Sequence, residues 1–425
     1  MIQRAVPVSR RLFLATGAAT LLAAPAVLAK GTARVVIVGG GAGGASVARM
    51  LAPAPGIQVT LVEAKPVYTT CFFSNLYLGG LRSFDSLQFG YDRMSGAGVQ
   101  VIHDRAIAVD RDRRVLALAG GARLSYDRLV LSPGIDFVEG SVPGWTMDDA
   151  QTMPHAYRAG PQTQLLARLL RDMPHGGLFA MVAPPNPYRC PPGPYERVSM
   201  VAHLFARHNP TAKILIFDPK PAFAKQALFM EGWQHHYPGM VERIGPDFGG
   251  ADLQLRPADR QVIVDGQAQA VDLCNVIPAQ KAGMIADLAG LTNDTGWAPV
   301  DGTTMTALAD PNIHVLGDSA DQGDMPKSAY AANSQARVVA DSIAAQLTDA
   351  PSFAPTYANI CWSLLAPGDA VRVGARYVAQ NGRIVATENF VSQPSEDDDR
   401  RKATAVEAES WYDGITTELF GESEA

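Results

Sequence analysis

Cysteine is scarce in this sequence, with four residues in 425, at positions 71, 190, 274 and 361. No two are close together, which excludes a tightly spaced redox pair. No C-x-x-C-H run occurs, which excludes a c-type haem attached to this chain. Charge is also sparse: charged residues make up 18% of the chain, 36 basic against 42 acidic, for a net charge of -6. No basic tract interrupts the body of the sequence, so nothing points to nucleic acid as a partner. Long apolar runs are missing as well. The one near the amino end is short for a membrane span, and no apolar amphipathic helix is expected near the carboxyl end as a membrane foot. Glycine (39) and proline (30) are plentiful and 47% of the residues are apolar. That composition fits a loop-rich α/β enzyme of two or three domains rather than a helical bundle.

The first 29 residues read as targeting. Arg10 and Arg11 follow Ser9, then come Phe13, Leu14, an apolar stretch to Ala24, and small residues at Val27 and Ala29. This resembles a twin-arginine export signal cut after Ala29. It implies a protein folded before export, often around a cofactor, and delivered to the periplasm, where a disulfide can persist.

Directly after it stands "ARVVIVGGGAGGASVARMLAPAPGIQVTLVEAKP". A buried strand is expected over 34–38, a glycine turn, a helix over 45–51 and a second strand over 59–62. Gly39, Gly41 and Gly44 match the dinucleotide fingerprint: one permits the turn, one admits the pyrophosphate, one allows close helix packing. Glu63 ends the second strand, nineteen residues beyond Gly44, and suits the adenosine ribose hydroxyls.

Downstream, "NIHVLGDSADQGDMPKSAYAANSQARVVADSIAAQL" gives a strand over 313–316, then Gly317 and Asp318, then a helical pattern from about Lys327. It resembles the second FAD motif of the two-dinucleotide-domain flavoproteins, in which the Asp holds the ribityl and phosphate region. A helix amino terminus there favours negative charge on a reduced flavin. Between the motifs, "LSYDRLVLSPGI" supplies a strand over 128–131 and the Ser132, Pro133, Gly134 turn, similar to the crossover that leaves the FAD domain in that superfamily. A boundary is expected near Gly140.

The segment 177–221 has the spacing of a second nucleotide-binding unit, with "LFAMVAPP" and "AKILIFDPKP" as strands around a helix over 198–207. Where phosphate-binding glycines belong, it has "APPNPYRCPPGPYER". Proline offers no N–H to a pyrophosphate, and its ring blocks close approach. The fold is expected without the nicotinamide, and the loop carries Cys190 instead. Such a loop is either a rigid connection or a stiff mount for a reactive thiol. Cys274 falls on an expected strand as a buried free thiol. Toward the carboxyl end, "AVRVGARYVAQNGRIVAT" reads as a hairpin turning at Asn381 and Gly382. The acidic run from Glu396 to Asp399 reads as a solvated turn before a short helix ending near Phe420.

Taken together, these residues resemble the flavoprotein subunit of flavocytochrome c sulfide dehydrogenase, a relative of the sulfide:quinone oxidoreductases, over nearly the whole mature chain. The implied fold is α/β: two Rossmann-like dinucleotide-binding domains of the glutathione-reductase type and a smaller α+β carboxyl-terminal domain. The expected division is 1–29 signal, 30–140 and 256–345 FAD-binding, 141–255 second nucleotide-binding-like, and 346–425 carboxyl-terminal interface.

The resemblance implies FAD covalently attached through its 8α carbon to Cys71, in "PVYTTCFFSNLYLGG", and a redox disulfide between Cys190 and Cys361. It also implies an acid at Glu196 in the "PYE" context, and a c-type cytochrome subunit that accepts the electrons. The substrate it implies is a small inorganic sulfur species, with no metal at the site. Read from the residues alone, Cys71 is more simply a small buried hydrophobe; Glu196 is either a proton-handling acid or a solvated loop acid, and Lys327 either a charge at the flavin edge that stabilises the reduced state or a surface lysine. A sulfide:quinone oxidoreductase shares most of this design. A non-catalytic electron-transfer or binding subunit is the reading from another class, separable by sulfide turnover with an artificial acceptor.

Overall fold

A computed structural model of the chain describes residues 32–421. The twin-arginine pair Arg10 and Arg11 and the expected cut after Ala29 lie outside them.

Five parallel strands form one side of an eight-stranded sheet, out to its edge, in the order Ile313–Val315, Arg128–Leu131, Ala33–Val38, Ile57–Val62 and Gln100–Ile102. They are runs of Val, Ile and Leu because helices cover both faces of a parallel sheet. Val35, Ile37, Leu61, Leu129 and Val315 are almost wholly enclosed. Register then decides where the site lies. Val38 pairs with both Val62 and Leu131, and Leu131 pairs with Val315. Gly39, Glu63, Ser132 and the Gly317–Asp318 turn therefore emerge side by side at the carboxyl edge, where ligands bind in open α/β sheets.

A second, four-stranded parallel sheet runs in the order Val241–Ile244, Lys213–Phe217, Leu178–Val182 and Leu273–Val276. The strand–helix–strand expected over 177–221 is present, with the helix at Gly193–His208. The fourth strand lies beyond residue 255 and carries Cys274, which is 1% exposed. Asp218, at the end of the second strand, is closed off from any ribose. It is fully buried against Lys220 and Arg243, each at 2.8 Å, and accepts the Tyr195 hydroxyl at 2.7 Å.

The third sheet is antiparallel: Thr356–Ala366, Asp369–Gln380 and Arg383–Val391. The Asn381–Gly382 turn has positive φ at both residues, as a tight two-residue hairpin requires. The expected short helix is in fact the 23-residue Asp398–Phe420. The acidic run leads into this helix, and Asp397, Asp398 and Asp399 stay exposed to solvent as expected. Asp397 caps it by accepting the Arg400 N–H at 2.8 Å, and Asp398 and Asp399 occupy the first turn, where the helix dipole favours carboxylates. Among the described residues no helix is long and apolar enough to cross a membrane.

Two histidines are buried as neutral rings. Burial holds His314 down to about 4 from the ordinary 6.5. His155 is also held to about 4, by burial and by Arg197 and Arg189 nearby, and its Nδ1 accepts the Tyr157 N–H at 3.1 Å. An unfolded chain protonates both rings below about pH 6.5, while the folded chain resists until about pH 4. Stability should therefore fall as pH drops through that window, by at most about 3 kcal/mol per ring. Thermal midpoints recorded from neutral to acid pH check this; a flat profile would show that the rings are not held neutral.

Candidate active site

The glycine turn builds the first half of the site. Gly39 has φ +97°, and a Cβ there would lie 2.3 Å from the Ser132 carbonyl oxygen. Gly44 sits against the same turn: its Cβ would lie 1.9 Å from the Gly39 carbonyl oxygen. The Ala42–Leu51 helix thus starts tightly against its strand, with Gly41 as a cap that has no side chain to occupy the first N–H groups and no acid in the first turn. Those amides are left for an anion.

Gly39, Gly41 and Ser132 line a cavity of about 410 Å³, to which Gly44 does not reach, and it also takes in Glu63, Cys71, Gly134 and Asp318. Glu63 is fixed at its mouth, accepting the Gly40 N–H at 2.8 Å and the Lys65 N–H at 3.0 Å. Gly134 turns at φ +73°, and its carbonyl accepts the Ser319 hydroxyl at 2.5 Å. Asp318 Oδ1 is buried without a hydrogen-bond partner, while Oδ2 stands 3.8 Å from Arg189. Burial pushes this carboxyl upward, and the Arg189 and Lys327 cations pull it back. An orphaned buried acceptor beside a helix N-terminus with bare amides is the pattern a ribityl diphosphate would complete. The residues present fit FAD.

A smaller pocket of about 90 Å³ adjoins this cavity and shares Cys71, Phe72, Arg189, Ser328 and Ala329 with it. Cys190, Glu196 and Cys361 also line it, so elements far apart in sequence bring three cysteines and one acid to one place. Cys190 is held in left-handed backbone, φ 54°, unusual for a non-glycine residue. Its N–H donates to the Lys327 carbonyl at 2.7 Å, and its own carbonyl accepts the Gly193 N–H at 2.7 Å. Gly193 leaves room for the thiol, since a Cβ there would stand 3.0 Å from the sulfur. The proline loop is therefore a shaped mount.

Cys361 lies on the strand Thr356–Ala366, and its sulfur is 3.5 Å from Asn359 Nδ2. All four cysteines are separate thiols in the structure, so the implied bridge is not drawn between Cys190 and Cys361. Burial pushes both thiols up. Nearby Cys361 and Glu196 add to the rise at Cys190, while Asn359 and Lys225 oppose it at Cys361.

Glu196 is not a loop acid but sits in the first turn of the Gly193–His208 helix. Its Oε2 accepts from Asn75 Nδ2 at 2.8 Å and its Oε1 from the Leu364 N–H at 3.0 Å. Burial raises it, with those two hydrogen bonds opposing.

Lys327 departs from expectation. Its ammonium lies outside the lining of the large cavity, donating to the Ala320 carbonyl at 2.6 Å and sitting 3.7 Å from the centre of the Trp297 ring. It is 7% exposed, so it is not a surface lysine, and its charge acts on Asp318 in the cavity wall. The helix it was expected to open starts at Ala329, capped by Ser328.

Sequence reasoning missed four polar groups. Arg189 lines both cavities, and only its place beside Cys190 hinted at it. Arg197 is buried among Asn75, Asn275 and the carbonyls of His155 and Ala156. Asn75 bridges it to Glu196. Lys225 reaches the Cys361 strand from the far side. An aromatic stack of Tyr330, Trp362 and Trp411 walls the small pocket, with the two indoles 5.5 Å apart.

Comparison with known proteins bears directly on this arrangement. The profile of the sulfide dehydrogenase [flavocytochrome c] flavoprotein chain, central, matches residues 163–278, and that of flavocytochrome c sulphide dehydrogenase, flavin-binding, matches 353–420. A sulfide dehydrogenase [flavocytochrome c] flavoprotein chain of Chlorobaculum thiosulfatiphilum is 61% identical over 46 residues, which is 96% of that relative and 11% of this chain. The chain belongs to the flavocytochrome c sulfide dehydrogenase flavoprotein family.

As a member of that family it is an FAD-binding oxidoreductase. Residues 33–164 match the pyridine nucleotide-disulphide oxidoreductase profile. The mitochondrial sulfide:quinone oxidoreductase of Mus musculus is 23% identical over 312 residues, 68% of this chain and 66% of that one. In fold, the family member is similar to the sulfide:quinone oxidoreductase of Aquifex aeolicus, with TM-score 0.68 and 15% identity over 92% and 93% of the two chains. It is also similar to a ferredoxin reductase of Rhodopseudomonas palustris, with TM-score 0.62 and 22% identity over 80% and 82%. The expected α/β flavoprotein-reductase architecture is therefore present.

Proposed function

We propose that the chain oxidises sulfide at a Cys190–Cys361 disulfide beside FAD and passes the electrons to a c-type cytochrome subunit. The observation that carries this reading is that Cys71, Cys190 and Cys361 line one small pocket continuous with the dinucleotide cavity. Hydrosulfide forms a new S–S bond to one cysteine of the bridge, the Cys190–Cys361 bond breaks, and its electron pair leaves on the other sulfur as a thiolate. Attack by a second sulfur nucleophile on the outer persulfide sulfur frees sulfur at the zero-valent or polysulfide level and leaves both cysteines as thiolates, whose electron pair must pass to FAD for the bridge to re-form.

FAD, when bound, accepts an electron pair and releases electrons singly, which suits a one-electron haem acceptor. Gly41, Glu63, Gly134 and Asp318 would hold it, and Cys71, which borders both cavities, would carry the thioether. Glu196 takes or gives a proton at the sulfur, its carboxyl aimed by Asn75 and the Leu364 N–H. Haem has to come from a separate subunit, since this chain has no C-x-x-C-H.

Two expected outcomes test the parts that FAD binding alone leaves open. Acid-precipitated holoprotein should stay yellow, and the peptide containing Cys71 should carry the mass of FAD; a Cys71→Ala variant should release all colour to the supernatant. Colour released from the parent would remove the covalent bond and leave the FAD site intact. For the periplasmic location, the amino-terminal peptide of the exported protein should begin at Lys30. An active, membrane-bound form retaining Met1 would contradict export with cleavage.

A further inference from the structure

Lys225 is a buried cation whose hydrogen-bond partners are neutral. It stands at φ 65° at the head of the Gln226–His236 helix and is 9% exposed. Its Nζ donates to the Cys361 carbonyl at 3.0 Å, to Ser363 Oγ at 2.8 Å and, more weakly, to the Val371 carbonyl at 3.4 Å. The Phe229 ring closes the remaining side at 5.9 Å. Taking an ammonium out of water without a carboxylate partner is costly, so the position carries a standing penalty. Burial pulls the amine down to about 8, and Cys361, Glu196 and Cys190 pull it back up.

The groups around it give that penalty a use. Glu196, from the Gly193–His208 helix, grips the same strand at the Leu364 N–H, so an anion and a cation flank the segment carrying Cys361. The other titratable groups acting on the two sulfurs are Cys71, Tyr157, Tyr188 and Tyr377. Two other cations, Arg189 and Arg197, line the pocket itself, but both are committed elsewhere. Arg197 is spent on Asn75, Asn275 and two carbonyls, and Arg189 faces Asp318. Lys225 alone among the three bonds the Cys361 segment itself.

We infer that Lys225 is a positioning residue for the redox cysteines: its ammonium tethers the Cys361 strand and lowers the cost of a thiolate at the pair. This rests on the reading that the pair is the redox centre. When hydrosulfide opens the bridge, one S–S bond forms, one breaks, and the departing sulfur keeps the electron pair next to Glu196. Without the cation, the Glu196 carboxylate that disfavours an anion at either sulfur is less opposed.

The test needs no sulfide turnover. Holoprotein is reduced, iodoacetamide is added over a pH series, and alkylation of each cysteine peptide is followed by mass spectrometry. Cys274, buried on its strand, serves as the internal control for an intact fold. Lys225→Met should raise the pH midpoint of Cys361 alkylation by about one unit, which slows labelling about tenfold at a fixed pH below it. Lys225→Gln, which keeps a donor to the Cys361 carbonyl but no charge, should show the same shift, and Lys225→Arg should restore most of it. A parental midpoint in the Met and Gln variants, with only the thermal midpoint lowered, overturns the proposal and leaves Lys225 a structural tether. If Met at this position fails to fold, the Gln and Arg pair decides alone. Peptide mapping of the oxidised parent is a separate measurement, so loss of the bridge reading and loss of the Lys225 role are distinguishable.

Discussion

Replacing either Cys190 or Cys361 with serine should leave a folded, yellow protein whose flavin sulfide no longer reduces at a useful rate. The structure allows the replacements. Serine is no larger than cysteine in the space left by Gly193, and Asn359 can hydrogen-bond a hydroxyl as it does the Cys361 sulfur. Chemistry does not allow them, because a lone thiol offers hydrosulfide no S–S bond to attack. The rate of anaerobic bleaching by sulfide should fall by at least about a thousandfold, the scale of losing a covalent reaction centre. Reduction by dithionite should be unchanged, which separates a lost substrate reaction from a lost cofactor. Two single variants bleaching at the parental rate would end the disulfide mechanism.

The second large effect belongs to the glycine turn. Gly44→Val should give protein without FAD, because its Cβ would stand 1.9 Å from the Gly39 carbonyl oxygen and 3.2 Å from Ile37 Cγ2, and backbone has to move to admit it. Moving the turn displaces the amides that face the diphosphate, and the cofactor site goes with them. A contrasting glycine serves as control. Gly414 lies in the last helix with nothing within 4 Å of an added Cβ. Gly414→Ala should keep FAD and gain about 0.5–1 kcal/mol from the helix preference for alanine. Flavin absorbance after gel filtration and thermal midpoints for the two variants read both outcomes.

Much of this architecture was legible in the sequence because its signals are local. Glycines at 39, 41 and 44 obey a steric requirement written in adjacent residues, and a buried parallel strand is a short run of Val, Ile and Leu. The proline loop was readable for the same reason: its composition excludes a phosphate turn before any fold is known. Groups that meet only through tertiary packing were not legible. Glu196 takes its hydrogen bonds from Asn75 and Leu364, 121 and 168 positions away. Lys225 reaches Cys361 across 136. Nothing in "PAFAKQALF" distinguishes a buried ammonium from a surface lysine, and the same holds for Lys327, which is also buried. The length of the last helix was missed because its buried residues, among them Thr404, Ala408, Tyr412 and Leu419, mix polar and small types rather than forming an apolar stripe.

Sulfide is expected to open a Cys190–Cys361 disulfide, and cysteine connectivity measured on the oxidised protein decides whether that bond exists. Oxidised holoprotein, denatured in acid with an alkylating agent present and digested without reductant, should yield the Cys190 peptide joined to the Cys361 peptide, with Cys274 alkylated. After anaerobic addition of one equivalent of sulfide, the cross-linked mass should disappear and one of the two peptides should carry an extra sulfur. Recovery of Cys190 and Cys361 both alkylated before sulfide is added, or a Cys190–Cys274 link, would contradict the account.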